Sequence, residues 1–330
     1  MIADRQHRSE VQARTGPVRY LRLSLTERCP MRCLYCRPSE GLPQAGETLT
    51  PGEIESLVRH LVAAHGLEKV RLTGGEPTER RDLLEIISRL AAIDGLTDLA
   101  LTTGGLTLVS TAERLARAGL RRVNISLDSL RPDVFRRITG RDALPRVLEG
   151  IDAARAAGLE PVRLNTVVLG GLNDAELPDL AAFAAEKGIE IRFIEFMPMG
   201  PRAAQWRQWF VPEHRMRAVL DPHVAAWQPM PWDGASARRW RLTLRAGGEA
   251  AVGFISAMSH PFCAACGRLR VAADGTLYPC LMDEPAGNVL PALRPALRPR
   301  ELDGLIEAGL RRKAAVHPAV GPGVMTCIGG

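Results

Sequence analysis

A parallel α/β sheet, curled as an incomplete (β/α)6 relative of the eight-stranded barrel, is the fold class this sequence predicts. Three observations lead there. Six short apolar runs alternate with stretches of helical period from about residue 18 to residue 197. Side chains on a strand alternate faces, and one face of strand after strand is polar and partly cationic. A closed barrel fills its interior with branched apolar residues, so a polar inner face implies an open barrel around a large polar ligand. The chain has 330 residues and is 46% hydrophobic, enough for one large domain with an extension. No apolar run is long enough to span a bilayer.

The expected strands are residues 18–25, 68–73, 98–102, 121–128, 161–169 and 189–197. The helical stretches are 50–66, 80–93, 110–119, 143–158 and 174–188, the first with Thr50 as cap and Pro51 at its first position. Alternation groups Tyr20, Arg22 and Ser24 on the polar face, then Arg71 with Thr73, and Asn124 with Ser126 and Asp128. It also groups Arg163 with Asn165, and Glu195 with Met197. Beyond residue 235 the pattern changes to a hairpin turning at Gly247-Gly248, a strand "RLRV" and a weakly helical, Pro/Ala/Arg-rich tail. The expected domains are a flexible arm (1–16), a partial barrel (17–235) and a C-terminal region (236–330).

The formal charge is +6, with 43 Lys+Arg against 37 Asp+Glu, and only Lys69, Lys187 and Lys313 are lysine. The arginine bias fits genome composition or an anionic substrate, and bulk charge does not decide between them. No signal peptide precedes the first strand, which points to the cytoplasm. Seven cysteines, clustered and unevenly spaced, suggest metal or redox chemistry rather than disulfides, with Cys327 an inert thiol.

Cys29, Cys33 and Cys36 follow directly on the first strand, at the end where parallel α/β proteins bind ligands. Three thiolates can hold three irons of a four-iron, four-sulfur (4Fe–4S) cube and leave the fourth iron open. A zinc site needs a fourth ligand, and the nearest following histidine is His60. After the second strand, Gly74-Gly75 lets a ligand approach the backbone, with Glu76 beside it; the plainer reading is a tight turn before Pro77. Cys263, Cys266 and Cys280 form a second triplet, with His260 as an optional fourth ligand. Arg268 and Arg270 point the same way on a strand and would suit a phosphorylated substrate.

The C-x3-C-x2-C spacing, with Tyr35 before the third cysteine, resembles the signature of radical S-adenosylmethionine (SAM) enzymes. With "RLTGGEP", "VNISLD", "IRFIEFMPMG", "FCAACGRLR" and the terminal Gly329-Gly330, the chain is similar to the GTP 3',8-cyclase family of molybdenum cofactor biosynthesis. The resemblance implies a radical SAM partial barrel whose C-terminal extension carries a second 4Fe–4S cluster. It implies SAM contacts at Tyr35, Gly75, Glu76, Ser126 and Met197. It implies GTP contacts at Arg22, Arg71, Thr102, Arg163, Arg268, Leu269 and Arg270, and a Gly329-Gly330 tail that enters the active site. Arg268, Arg270, Gly329 and Gly330 are then the expected catalytic residues. An external electron donor, a homodimer and cyclic pyranopterin monophosphate synthase downstream are its implied partners, without nucleic acid or membrane.

Pro30, Arg37, Gly104 and Arg163 depart from the family pattern, in which Asn, Met, Asn and Lys are usual. Two rivals remain. A peptide-modifying radical SAM enzyme would need a peptide groove, which the basic lumen disfavours. A metal-stabilised nucleic-acid-binding protein would need stacking aromatics, and aromatic content is only 5%.

Overall fold

Thr50 opens the first helix as a reciprocal cap: its hydroxyl accepts from the Glu53 amide at 3.3 Å, and the Glu53 carboxylate accepts from the Thr50 amide at 2.7 Å. A computed structural model describes residues 18–36, 47–232, 234–263, 266–313 and 321. The arm 1–16, Arg37, Cys327, Gly329 and Gly330 lie outside the described residues.

The six expected β/α repeats are present. They run β1 (Tyr20–Ser24), α1 (Pro51–His65), β2 (Lys69–Thr73), α2 (Leu83–Ala91), β3 (Asp98–Thr103), α3 (Leu108–Arg117) and β4 (Arg122–Ser126). Then follow α4 (Pro132–Thr139), α5 (Leu144–Ala156), β5 (Arg163–Val168), α6 (Leu177–Lys187) and β6 (Glu190–Glu195). The remainder comprises α7 (Trp206–Trp209), α8 (Glu213–Leu220), β7 (Val224–Pro229), β8 (Arg238–Leu244), β9 (Glu249–Ile255), β10 (Arg268–Val271), β11 (Thr276–Tyr278), β12 (Gly287–Asn288), α9 (Leu290–Leu293) and α10 (Pro299–Arg312).

Helix α4 was not among the expected elements. Pro132 starts it, Val134, Phe135 and Ile138 bury its inner face, and Gly140 ends it in the left-handed region at φ +67°.

The strands form one sheet in the order β12-β11-β10-β1-β2-β3-β4-β5-β6-β9-β8-β7. From β10 through β1–β6 to β9 every neighbouring pair is parallel. The parallel run thus exceeds the six strands expected: β10 adds beside β1, and β9 beside β6. It is barrel-like without closing, because β9 and β10 each continue into antiparallel neighbours instead of meeting. The hairpin expected at Gly247-Gly248 is β8–β9.

Leu21, Leu23, Leu72, Leu101, Ile125 and Phe193 are fully buried on the outer face of the sheet, which carries the main core. Helix α10 is fastened to α1 by Asp303, whose Oδ1 bonds His60 Nε2 at 2.7 Å and His65 Nε2 at 2.8 Å. No helix among the described residues is long and apolar enough to cross a membrane.

Glu195 does not join the polar inner face as alternation suggested. Glu190 and Arg192 occupy that face, so Glu195, of opposite parity, points the other way. Its carboxylate instead accepts from the backbone amides of Glu213, Met258 and Ser259, which brace α8 and the turn after β9.

Candidate active site

The loop from Glu27 to Cys36 leaves the C-terminal end of β1 and is held from two sides. On one side, the Gly75 amide donates to Thr26 O and the Glu76 amide to Arg28 O, both at 2.7 Å. On the other, Arg32 and Leu34 amides donate to the carbonyls of Thr139 and Ile138 at the end of α4, and Arg141 Nε donates to Pro30 O at 2.6 Å. Gly74 sits at φ +139°, and a Cβ on it would lie 2.4 Å from Thr26 O. A Cβ on Gly75 would lie 2.4 Å from Arg28 O. The paired glycines therefore let β2 press against the cysteine loop.

Gly75→Ala should cost about 2 kcal/mol of stability. Gly52→Ala is the control, since a Cβ there meets nothing within 4 Å. Equal thermal unfolding of the two variants would contradict this account.

Glu76 is buried beneath the loop. Its Oε1 accepts from the Thr78 amide (3.2 Å) and from the Thr78 and Thr103 hydroxyls (both 2.7 Å), and its Oε2 from the Gly104 amide (2.7 Å). Burial lifts its carboxyl above the ordinary value, against the pull of these donors. A Cβ on Gly104 would lie 3.0 Å from Met31 Cε, so Met31 fills the space where a side chain at 104 would begin.

Tyr35 donates its hydroxyl to Asp128 Oδ2 at 2.7 Å, and Asp128 Oδ1 accepts from the Val167 amide at 2.9 Å. Burial pushes the Asp128 carboxyl up to about 6. Burial, with Cys36, Asp128 and Cys29 nearby, also pushes the Cys33 thiol well up. A bound cationic cluster would relieve that cost.

The barrel interior is organised in register. Arg270, Arg22 and Arg71 are direct neighbours on β10, β1 and β2. One step further, Thr102, Asn124, Arg163 and Glu190 form a row, and beyond it Ser126, Asn165 and Arg192. Burial pulls the guanidinium of Arg22 down to about 9, helped by the charge of Arg270, and that of Arg71 to about 9. Burial with the charge of Arg268 pulls Arg270 to about 10. At neutral pH all three remain cations, confined side by side.

Several polar atoms on this face (Ser24 Oγ, Arg71 Nε, Thr102 Oγ1 and Asn165 Oδ1) are buried with no hydrogen-bond partner among the described residues. Such atoms fit a polar ligand that supplies the missing partners. With its amide oxygen turned to Arg71, Asn124 accepts from Nη1 and, at 3.2 Å, from Nη2.

The second triplet lies beside this face. Cys263 and Cys266 are tied together by the Cys266 amide, which donates to Cys263 O at 3.1 Å, and Cys280 follows β11. Burial alone would raise the Cys266 thiol, but Arg268 and Lys313 outweigh it and hold the thiol low. Lys313 was not singled out from the sequence; its Nζ donates to Arg268 O at 2.7 Å, just past the end of α10. His260 turns its Nδ1 to Ser259 Oγ at 3.1 Å and stands 3.6 Å from Glu213. Met197 packs with Met199, Met282, Tyr278 and Cys280, and Leu269 is buried on the outer face.

Among the described residues, His60, His65 and Asp303 bring three potential metal-ligand atoms within 4.8 Å of one another, at the junction of α1 and α10.

The Radical SAM superfamily signature matches residues 23–184, and that of Molybdenum Cofactor Synthesis C matches residues 189–319. The chain is 41% identical over 304 residues to GTP 3',8-cyclase of Moorella thermoacetica, covering 91% of this chain and 92% of the relative. It is 43% identical over 307 residues to GTP 3',8-cyclase of Pelotomaculum thermopropionicum, with the same coverages. Among solved structures, SuiB of Streptococcus suis bound to S-adenosylmethionine superposes with a TM-score of 0.63 at 16% identity. That match covers 92% of this chain and 68% of SuiB and is a likeness of fold.

Proposed function

We propose that this chain, which belongs to the radical SAM superfamily and within it to the GTP 3',8-cyclases, converts GTP to (8S)-3',8-cyclo-7,8-dihydroguanosine 5'-triphosphate, the first step of molybdenum cofactor biosynthesis. The observation that carries the reading is the row Arg270–Arg22–Arg71 inside the barrel, flanked by one cysteine triplet at the end of β1 and another beside β10. A cationic row next to two open triplets suits a substrate that is both polyanionic and held near a cluster.

Membership of the superfamily implies a 4Fe–4S cluster and SAM, and Cys29, Cys33 and Cys36 are the residues that would hold the cluster. When bound, the two together would supply a 5'-deoxyadenosyl radical able to remove the ribose C3' hydrogen; bonding of C3' to guanine C8 then needs one further electron, from the external donor, and one proton at the purine. On our reading, Tyr35, Gly75, Glu76, Ser126 and Met197 line the SAM side. Arg22, Arg71, Thr102, Arg163, Arg268, Arg270 and the Leu269 backbone hold GTP. Cys263, Cys266 and Cys280 would hold a second 4Fe–4S cluster that grips guanine. The half-burial of these thiols, and the low Cys266 thiol beside Arg268 and Lys313, support it.

Gly329 and Gly330 belong to the same proposal as a tail acting at the site, as does a division near residue 235. An external electron donor, a homodimer and delivery to cyclic pyranopterin monophosphate synthase complete it.

Anaerobic iron and sulfide analysis should give about eight irons per chain. With reductant, SAM and GTP, 5'-deoxyadenosine should form in a GTP-dependent manner. Stoichiometric zinc in place of iron, or no response to GTP, would overturn the reading.

A further inference from the structure

Arginines inside this barrel are held in two different ways. Arg122 is clasped by Asp98 at 2.7 and 2.5 Å, and Arg163 and Arg192 both reach Glu190, at 3.4 and 2.5 Å. A carboxylate fixes a guanidinium but occupies its N–H groups and cancels its charge. Arg71 and Arg268 have no such partner: among the described residues no carboxylate stands within ion-pair distance of either. They lie instead against aromatic faces. The Arg71 guanidinium carbon is 5.6 Å from the centre of the Tyr20 ring. That of Arg268 is 5.8 Å from Tyr20 and 4.9 Å from Phe262, so Tyr20 serves both cations and Arg268 touches two rings.

Sheet register explains the arrangement. Tyr20 is the direct neighbour of Arg268 across β1–β10 and lies one row below Arg22, on the same face as Arg71. Phe262 precedes Cys263 and reaches Arg268 from the cysteine loop. A ring face attracts the cation through its quadrupole while leaving the N–H edge unoccupied. The neutral amide oxygen of Asn124 accepts from Nη1 and Nη2 of Arg71, which leaves the charge intact and the Nε–H without a partner among the described residues.

We propose that Tyr20 and Phe262 are positioning residues: they orient Arg71 and Arg268 by their ring faces, keep the N–H donors available, and so set the preference for a charged nucleotide over its uncharged nucleoside. The inference rests on GTP being the substrate and deepens that reading by assigning the discrimination to two rings.

The test uses the full chain, reconstituted anaerobically, with equilibrium binding of GTP and of guanosine to Tyr20→Leu, Tyr20→Phe and Phe262→Leu. Tyr20→Leu and Phe262→Leu should each weaken GTP binding about tenfold. Guanosine affinity, SAM affinity and iron content should stay as in wild type, KM for GTP should rise with kcat unchanged, and Tyr20→Phe should restore GTP binding. Unchanged GTP affinity in both leucine variants overturns the proposal. So does equal loss for guanosine, which would make the rings ordinary packing, or failure of Tyr20→Phe to rescue, which would assign the effect to the hydroxyl. If Tyr20→Leu does not fold, Phe262→Leu carries the test from the far side of Arg268. Wild-type protein that binds guanosine as tightly as GTP would bring down the substrate reading itself.

Discussion

Arg22→Met should produce a chain that, free of metal and nucleotide, unfolds at a higher temperature than wild type and no longer binds GTP usefully. Arg22 stands between Arg270 and Arg71 on adjacent parallel strands, and burial and the charge of Arg270 pull its guanidinium down to about 9. Keeping that proton at neutral pH costs folding free energy, because the unfolded chain holds it without penalty. Removing a buried cation crowded by the like charge of Arg270 relieves that cost, here by about 2 kcal/mol. The same change removes a charge-assisted contact to an anion, worth about 100-fold in affinity.

The pH dependence has a definite sign. Between the folded value of about 9 and the ordinary value of 12.5, the unfolded state binds a proton that the folded state does not. Wild-type stability therefore rises relative to the variant as pH climbs past about 9, and the gap in melting temperature narrows. Below that pH the gap is constant. Thermal unfolding of the reduced, metal-free chains from pH 7 to 10.5 measures it; a variant less stable than wild type at pH 7 contradicts the electrostatic account.

The two cysteine triplets should be separable. Cys33→Ala should lose about four of about eight irons and all formation of 5'-deoxyadenosine. Cys33 is packed against both the main core and the cluster of Tyr35, Val134, Ile138, Leu169 and Phe196, so its sulfur sits at a fixed place in the loop. Cys266→Ala should also lose about four irons, yet keep reductive SAM cleavage while forming no cyclised nucleotide. Iron analysis and product chromatography on the two variants distinguish the outcomes. Equal loss of SAM cleavage in both would mean that the triplets do not act as separate centres.

Much of this architecture was legible locally. The six β/α repeats follow from period and caps, and the polar inner face follows from alternation, which put Arg22, Arg71, Asn124, Ser126, Arg163 and Asn165 on one side. Glu195 failed because alternation constrains parity only from a correctly chosen starting residue; Glu190 and Arg192 carry the inner face of β6. Helix α4 is not legible because its eight residues make barely two turns, too few for a sound pattern of buried Val134, Phe135 and Ile138 to stand out as a period. The parallel addition of β9 and β10 could not be read at all. Pairing Tyr20 with Arg268 joins segments far apart in sequence, and no short-range pattern encodes it. Lys313 and Asp128 were visible as residue types but not as partners of Arg268 O and Tyr35, for the same reason.

That distant pairing also orders events during synthesis. When the first two hundred residues have left the ribosome, β1 and β6 have neighbours on one side only, and the opposite edge of each presents open backbone donors and acceptors. Strands that cover those edges come from β9 and β10. A nascent or prematurely terminated chain would carry two parallel edges, of five and six residues, with nothing to pair, the condition under which sheets recruit one another. The final third of the polypeptide is thus its own protection against self-association, quite apart from any substrate it helps to hold.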